Sequence, residues 1–130
     1  MGPTLHIPPP LLEALLAHCR VERPLEACGF LAGRDGVVSQ VLPVVNELAS
    51  PTAFRTEAAS AFAAFRAMRD AGTELLAVYH SHPTSDPVPS RRDLAENTYG
   101  AVPWVIIGAD GTVRAWRLSA DGFAAVELVD

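Results

Sequence analysis

The chain contains no lysine: all ten of its basic residues are arginines, set against fifteen acidic residues and a formal net charge of −5. A protein that binds nucleic acid through a broad basic face has the opposite balance, so that function class is excluded. Cysteine is also scarce. Cys19 and Cys28 are too few for a disulfide framework, and Cys28 lies in an apolar stretch where a buried free thiol is expected.

Long hydrophobic runs are missing as well. No stretch approaches the roughly 18 apolar residues that a membrane-spanning helix needs, and no basic-then-apolar leader is visible. We therefore expect a soluble, cytoplasmic protein with no membrane partner and no nucleic-acid partner. At 130 residues, 49% of them hydrophobic, the chain suits one compact core. The predicted organisation is a single domain over residues 1–130.

Hydrophobic periodicity predicts helices alternating with strands. Leucines at helical spacing behind a proline run predict a first helix that ends near Arg20, and a second helix spans residues 57–71 before Gly72. A short helix is expected to begin near Ser90. Strands are predicted at residues 5–7, 27–33, 36–45, 74–79, 102–107, 113–118 and 123–129. The fold class is α/β, with a central mixed β-sheet flanked by helices.

Two histidines follow the predicted strand at residues 74–79, in the sequence His80-Ser81-His82-Pro83. Side chains alternate along an extended segment, so His80 and His82 project from the same face and offer a pair of nitrogen ligands. Asp93 can add an oxygen. Two neutral nitrogens and one carboxylate form a three-ligand set of the kind that leaves the fourth position on Zn²⁺ open, as in catalytic sites.

Asp93 also has an ordinary structural interpretation. Ser90 and Asp93 have the spacing of a capping box, in which Asp93 lies in the first helical turn, where the helix dipole favours an anion. The two roles are compatible, because a capped helix start also fixes the direction of the carboxylate. Asp86, in the loop before Ser90, is an alternative metal ligand, although the spacing favours Asp93.

The spacing of four residues resembles the signature of the JAMM (MPN+ domain) metalloprotease family: His80, His82, Ser90 and Asp93. That family also has an upstream glutamate at the start of a strand. Residues 24–33 contain Glu26 in the pattern Glu-x-Cys-Gly-x-Leu-x-Gly, similar to the small prokaryotic members. The resemblance extends from residue 24 to about residue 108 and implies a cytidine-deaminase-like sheet architecture.

The resemblance implies a catalytic role for each of these residues. One Zn²⁺ per chain is expected on His80, His82 and Asp93. Glu26 is expected to act as the general base and then to protonate the departing amine. Without the resemblance, a solvated carboxylate at a strand start explains Glu26 equally well. Ser90 is expected to donate a hydrogen bond to the developing oxyanion.

The implied reaction is hydrolysis of an amide or isopeptide bond after the C-terminal glycine of a ubiquitin-like or sulfur carrier protein. One such reaction releases the carrier from a C-terminal cysteine adduct. The carrier tail is expected to lie beside the metal strand as an added strand. Phe54 and Arg55, after the loop at residues 46–54, are candidate substrate contacts. Whether the chain forms a homodimer is left open.

Two alternatives belong to other function classes. The chain could be a non-catalytic MPN-type assembly module, but metal-free relatives of that kind usually lack the ligand set that is complete here. A purely structural zinc site would need a fourth protein ligand, for which Cys28 is the candidate.

Overall fold

The computed structural model describes residues 4–95, 102–119 and 122–130. Seven strands and three helices are defined in these ranges, in the order that the sequence predicts. They are β1 (Thr4–His6), α1 (Pro9–Glu22), β2 (Cys28–Arg34), β3 (Val37–Val44), α2 (Ala58–Ala71), β4 (Glu74–Ser81), α3 (Arg91–Ala95), β5 (Trp104–Ile107), β6 (Val113–Ser119) and β7 (Gly122–Val129).

The strands form one mixed sheet in the order β1-β3-β2-β4-β5-β6-β7. β2 is antiparallel to both β3 and β4, whereas β4 and β5 are parallel. β1 pairs in parallel with β3 and with β7, so the sheet closes into a barrel. The predicted mixed sheet with helices is confirmed. Its closure was not predicted, because the pairing of a three-residue strand with two distant strands leaves no local sequence pattern.

Each face of the sheet packs against a different helix. One apolar cluster joins Leu15 and Cys19 of α1 to alternate residues of the strands, among them Leu31 and Tyr79. The other cluster joins Ala61, Ala64 and Met68 of α2 to the intervening residues of the central strands. This alternation follows from the period of two along each strand, and it leaves β4 buried on both faces.

The ends of α2 and the turn between β2 and β3 lie where the sequence predicts them. Glu57 caps α2 by accepting a hydrogen bond from the Ser60 backbone N–H at 2.9 Å, and Gly72 ends the helix in the left-handed conformation. Asp35 and Gly36, both with positive φ, form the tight turn between β2 and β3. Among the described helices, none is both long and apolar enough to cross a membrane.

Candidate metal centre

The centre of the sheet supplies two imidazoles. His80 lies in β4, where the backbone is paired with Cys28 of β2 on one side and Ile106 of β5 on the other. His82 follows directly after the strand. The two side chains are 0% and 5% exposed, and their Nε2 atoms are 3.0 Å apart. The prediction that both rings project from one face is confirmed.

α3 brings a carboxylate to these imidazoles. Asp93 Oδ1 lies 3.2 Å from His80 Nε2, and Asp93 Oδ2 lies 3.1 Å from His82 Nε2. Each of the three residues offers one ligand atom, and these three atoms lie within 4.8 Å of one another. This arrangement could hold a metal ion. The His-His-Asp cluster predicted from the sequence is therefore assembled.

The capping interpretation of Asp93 is also correct. The Ser90 backbone N–H donates to Asp93 Oδ2 at 2.8 Å, and the Asp93 N–H donates to Ser90 Oγ at 3.0 Å. These reciprocal bonds fix the direction of the carboxylate. They also use Ser90 Oγ as an acceptor, so the cap itself does not occupy the hydroxyl hydrogen. Ser90 is exposed, as a residue that contacts a substrate needs to be.

The loop between β4 and α3 orients His82. His82 Nδ1 lies 2.7 Å from the backbone oxygen of Asp86, which can only accept, so Nδ1 carries a proton. In the neutral imidazole the Nε2 lone pair then faces the centre, as a metal ligand requires. Trp116 Nε1 donates to the Pro87 carbonyl oxygen at 2.8 Å and holds this loop against β6. The side chain of Asp86 is not among the clustered ligands in the described chain; its backbone contributes instead.

Two aromatic side chains pack against the imidazole of His80. The ring of Phe54 stacks on the imidazole with centroids 4.5 Å apart, and Trp104 meets it edge-on at 5.3 Å. Phe54 thus contacts a candidate metal ligand, whereas Arg55 is exposed and pairs with Glu47. The prediction that Phe54 and Arg55 contact a substrate stays a prediction.

Glu26 lies at the entrance to β2 and is only 4% exposed, which rules out a solvated carboxylate. Its Oε1 atom is buried and has no hydrogen-bond partner among the residues that the structure describes. Burial raises the pKa of Glu26 to about 8, although His82 partly opposes the shift and Asp93 adds to it. The charges of His82 and Asp93 therefore influence the pKa of Glu26.

Asp93, His80 and His82 influence one another's pKa values. Burial alone would raise the pKa of Asp93, but hydrogen bonds with His80 and His82 outweigh it and hold that pKa well below its usual range. Burial lowers the pKa of His80, which is therefore neutral. Burial would also lower the pKa of His82, but contacts with Asp93 and the Asp86 carbonyl raise it overall. Asp93 is thus an anion that faces at least one neutral imidazole.

The donor set fits a divalent cation. Four donor atoms from three residues, the two imidazole Nε2 atoms and both oxygens of Asp93, approach one another at 3.0–3.2 Å in a buried site. Neutral imidazole with carboxylate is a ligand combination that zinc accepts. Cys28 does not complete a closed site. Its thiol points to the Val44 carbonyl oxygen at 3.5 Å, and burial raises its pKa to about 12, which disfavours the thiolate that a metal requires. The described donors therefore suit an open, three-ligand site.

Two residues that support the site were not singled out from the sequence. Asn46 binds the backbone of Glu26, and Ser81 accepts a hydrogen bond from the Ala27 backbone N–H at 2.8 Å. Ser81 lies between the two histidines, and the strand alternation could have indicated that it faces the opposite way. For Asn46, a single loop asparagine, the sequence contains no comparable signal.

Comparison with known proteins agrees with this geometry. A family model described as prokaryotic homologs of the JAB domain (Prok-JAB) matches residues 8–119. A probable TtuB-protein conjugate cleaving protease of Thermus thermophilus is 42% identical over 90% of this chain and 78% of its own length. The CysO-cysteine peptidase of Mycobacterium tuberculosis is 35% identical, covering 92% and 86%. A desampylase of Pyrococcus furiosus is 33% identical, covering 89% and 82%.

Solved structures show the same fold. A Desulfitobacterium hafniense protein superimposes with a TM-score of 0.89 at 29% identity, covering 96% of this chain and 91% of that one. A structure described as JAMM, a metalloprotease-like zinc site in the proteasome and signalosome, superimposes at 0.61 with 15% identity, covering 98% and 99%. The second likeness concerns the fold alone. The chain belongs to the prokaryotic homologs of the JAB domain and is a peptidase of the JAMM type.

Proposed function

We propose that this protein is a zinc-dependent metallopeptidase that hydrolyses the amide or isopeptide bond after the C-terminal glycine of a ubiquitin-like or sulfur carrier protein. The observation that carries the proposal is the buried cluster of His80, His82 and Asp93, together with the buried Glu26 carboxyl, whose pKa responds to the charges of His82 and Asp93. Glu26 Oε1 has no hydrogen-bond partner in the described part of the chain. A structural site has no need for such a carboxyl, whereas hydrolysis needs a base.

His80 and His82 would hold zinc through Nε2, and Asp93 would hold it through a carboxylate oxygen. When bound there, zinc supplies Lewis acidity and makes hydroxide available near neutral pH. The Asp86 carbonyl keeps the His82 tautomer fixed, and the Ser90 cap keeps Asp93 aimed at the imidazoles. These contacts preorganise the ligands, so that little conformational freedom is lost when the metal binds.

Glu26 is the proposed general base. A buried carboxylate whose Oε1 has no hydrogen bond to any described residue can accept a proton from the attacking water and then pass it to the departing amine. A pKa of about 8 without metal leaves the carboxyl largely protonated near neutral pH. A neighbouring dication favours the ionised form, so we expect metal binding to lower the pKa of Glu26 and prepare it as a base.

Ser90 is the proposed hydrogen-bond donor to the carbonyl oxygen of the scissile bond. Its oxygen accepts from the Asp93 N–H, and the residue is exposed, so the O–H is free of this cap and open to a bound substrate. Loss of one donor of this kind typically costs about 2.7–4 kcal/mol of transition-state stabilisation.

The substrate class rests on the relatives and on the resemblance to small prokaryotic family members. The Thermus relative is named for cleaving TtuB-protein conjugates and the mycobacterial relative for CysO-cysteine. A flexible carrier tail would suit this site, because backbone hydrogen bonds can hold an extended tail beside a strand whatever its side chains are. We therefore propose a carrier-protein tail on the acyl side of the scissile bond.

The test uses purified protein of measured zinc content and a ubiquitin-like carrier in two forms: one ending in an added cysteine, the other joined to a lysine side chain of a peptide. We expect cleavage after the terminal glycine of at least one form. 1,10-Phenanthroline should abolish cleavage, and the non-chelating 1,7-isomer should not. Zinc-loaded protein that cleaves neither form would refute the carrier substrate. Protein that binds no zinc would favour the non-catalytic assembly module.

A further inference from the structure

Hydrogen bonds to Ser50, Asn46 and Ser81 hold the backbone around Glu26. The Glu26 N–H donates to the Ser50 carbonyl oxygen at 2.8 Å, and the Glu26 carbonyl oxygen accepts from Asn46 Nδ2 at 3.0 Å. The next N–H, of Ala27, donates to Ser81 Oγ at 2.8 Å. Since Oε1 of Glu26 has no partner within the described ranges, these backbone anchors do much to determine where the carboxyl lies.

Asn46 uses its whole side chain in this arrangement. Its Nδ2 donates to the carbonyl oxygens of Glu26 and Ala53, both at 3.0 Å. Its Oδ1 accepts from the N–H groups of Leu48 and Arg55, both at 3.1 Å. The residue is 8% exposed, and its two amide hydrogens and two lone pairs are all satisfied.

One side chain therefore joins two parts of the site. Its bond to Glu26 holds the start of β2, and its other three bonds hold residues 48–55 as a fixed loop. Phe54 is part of that loop and stacks on His80. A shift of the loop would thus act both on the ring over a candidate ligand and on the backbone of the candidate base.

We propose that Asn46 is a positioning residue for catalysis, which sets the location of the Glu26 carboxyl relative to the His80, His82 and Asp93 cluster. This inference rests on the proposed function, in which Glu26 is the base. The hydrogen-bonding positions of the Asn46 amide are all used by backbone groups, so its side chain has none left to bind substrate or metal. Its contribution is geometric: a displacement of about 1 Å in a reacting group can lower a rate by about 100-fold.

Two substitutions and one matched control test the proposal. Asn46→Asp keeps the acceptor for Leu48 and Arg55 but removes both donors. Asn46→Ala removes all four hydrogen bonds without burying a charge, so it serves if Asn46→Asp fails to fold. The control is Thr73→Val, which removes hydrogen bonds to Gln40 and to the Met68 carbonyl at a place remote from the site.

Each variant is loaded with zinc and assayed well below its own Tm on the carrier form that the wild type cleaves. For the Asn46 variants we expect kcat to fall about 10- to 100-fold, with KM within about twofold of wild type and zinc content unchanged. Amide hydrogen exchange at Glu26 and Ala27 should become faster in the metal-free variants. Thr73→Val should lower Tm and leave kcat unchanged.

The inference and the proposed function can fail separately. Cleavage by the wild type and its loss in Glu26→Gln test the proposed function. If both are observed, an Asn46→Ala protein with full zinc and wild-type kcat overturns the positioning role. A fall in kcat that matches the loss of zinc also overturns it, because Asn46 would then support metal binding rather than the base.

Discussion

Both faces of β4 carry buried polar side chains. The two faces differ in whether the polar atoms of those side chains have hydrogen-bond partners. On the face toward α1, the Tyr79 hydroxyl lies 2.6 Å from His18 Nδ1, and Ser81 Oγ accepts from the Ala27 N–H. On the opposite face, His80 Nδ1 is buried with no partner in the described chain. The same is true of Oε1 of Glu26, whose pKa responds to the charges of His82 and Asp93. His80 also has Nε2 within 3.2 Å of both other members of the cluster.

Burial alone therefore does not distinguish a functional face from a structural one. A buried polar group with its hydrogen bonds made contributes modestly to stability, whereas one without a partner lowers stability by about 1–3 kcal/mol. On the α1 face the buried polar groups have hydrogen-bond partners and support the fold. On the opposite face, where the candidate ligands converge, buried polar groups without a described partner are retained. The difference marks the site, and substitutions on the two faces should separate function from stability.

The largest expected effect on turnover comes from Glu26→Gln, at the proposed general base. The amide has nearly the same shape but cannot accept the proton from water, so we expect turnover to fall about 10²- to 10⁴-fold. Zinc content should be unchanged, because Glu26 is not one of the clustered ligands. Steady-state cleavage and metal analysis on the same sample provide the check; normal turnover would exclude Glu26 as the base.

Ser90→Ala should come next. Removal of the hydroxyl removes the proposed donor to the oxyanion, and we expect kcat to fall about 10²- to 10³-fold. The same change removes the cap of α3 and should lower stability by about 1 kcal/mol. Ser90→Thr is the matched control, because threonine keeps both the hydroxyl and the capping oxygen. Equal kcat in the alanine and threonine variants would contradict the donor role.

The pH dependence of stability tests the buried Glu26 carboxyl itself. The folded pKa of Glu26, about 8 without metal, lies above the ordinary value of 4.5. Between these values the folded state retains a proton that the unfolded state has lost, so stability falls as pH rises. The slope from this group is at most about 1.4 kcal/mol per pH unit.

Urea unfolding in the presence of a chelator measures this slope. From pH 5 to pH 8, wild-type protein should lose stability relative to Glu26→Gln, which has no proton to lose. If the difference in unfolding free energy between the two proteins stays constant with pH, the pKa of Glu26 is the same in the folded and unfolded states. The prediction of a raised pKa would then be wrong.

Tyr79→Phe, on the α1 face, should have the smallest effect. The substitution removes the hydrogen bond to His18 from a fully buried ring, and we expect a loss of about 1 kcal/mol in the free energy of unfolding. Turnover at full zinc occupancy should remain within about twofold of wild type. A large fall in kcat would mean that the two faces are not functionally separate.

Local patterns made much of this structure predictable. The alternation along β4 placed His80 and His82 on one face, and the Ser90–Asp93 spacing predicted the cap. Asp93 was proposed as the third member of the cluster from its donor chemistry and from the family signature. These features depend on residues close together in sequence, where strand and helix periods apply directly. Glu26 was located through its motif, which the family resemblance supplied.

The remaining features depend on contacts between distant segments. The closure of the sheet needs β1 to meet β7, which lies more than a hundred residues away. The carbonyl of Asp86 that orients His82 is a backbone group, so its residue type carries no signal. Asn46 resembles any loop asparagine until the fold brings Glu26 beside it.

The most direct test of the account is the metal content of the purified protein, measured beside His80→Ala prepared in the same way. The converging donors predict about one zinc ion per chain in the wild-type protein and loss of that zinc in the variant. Wild-type protein without zinc, or a His80→Ala variant that retains it, would contradict the claim that this face of β4 is a metal centre.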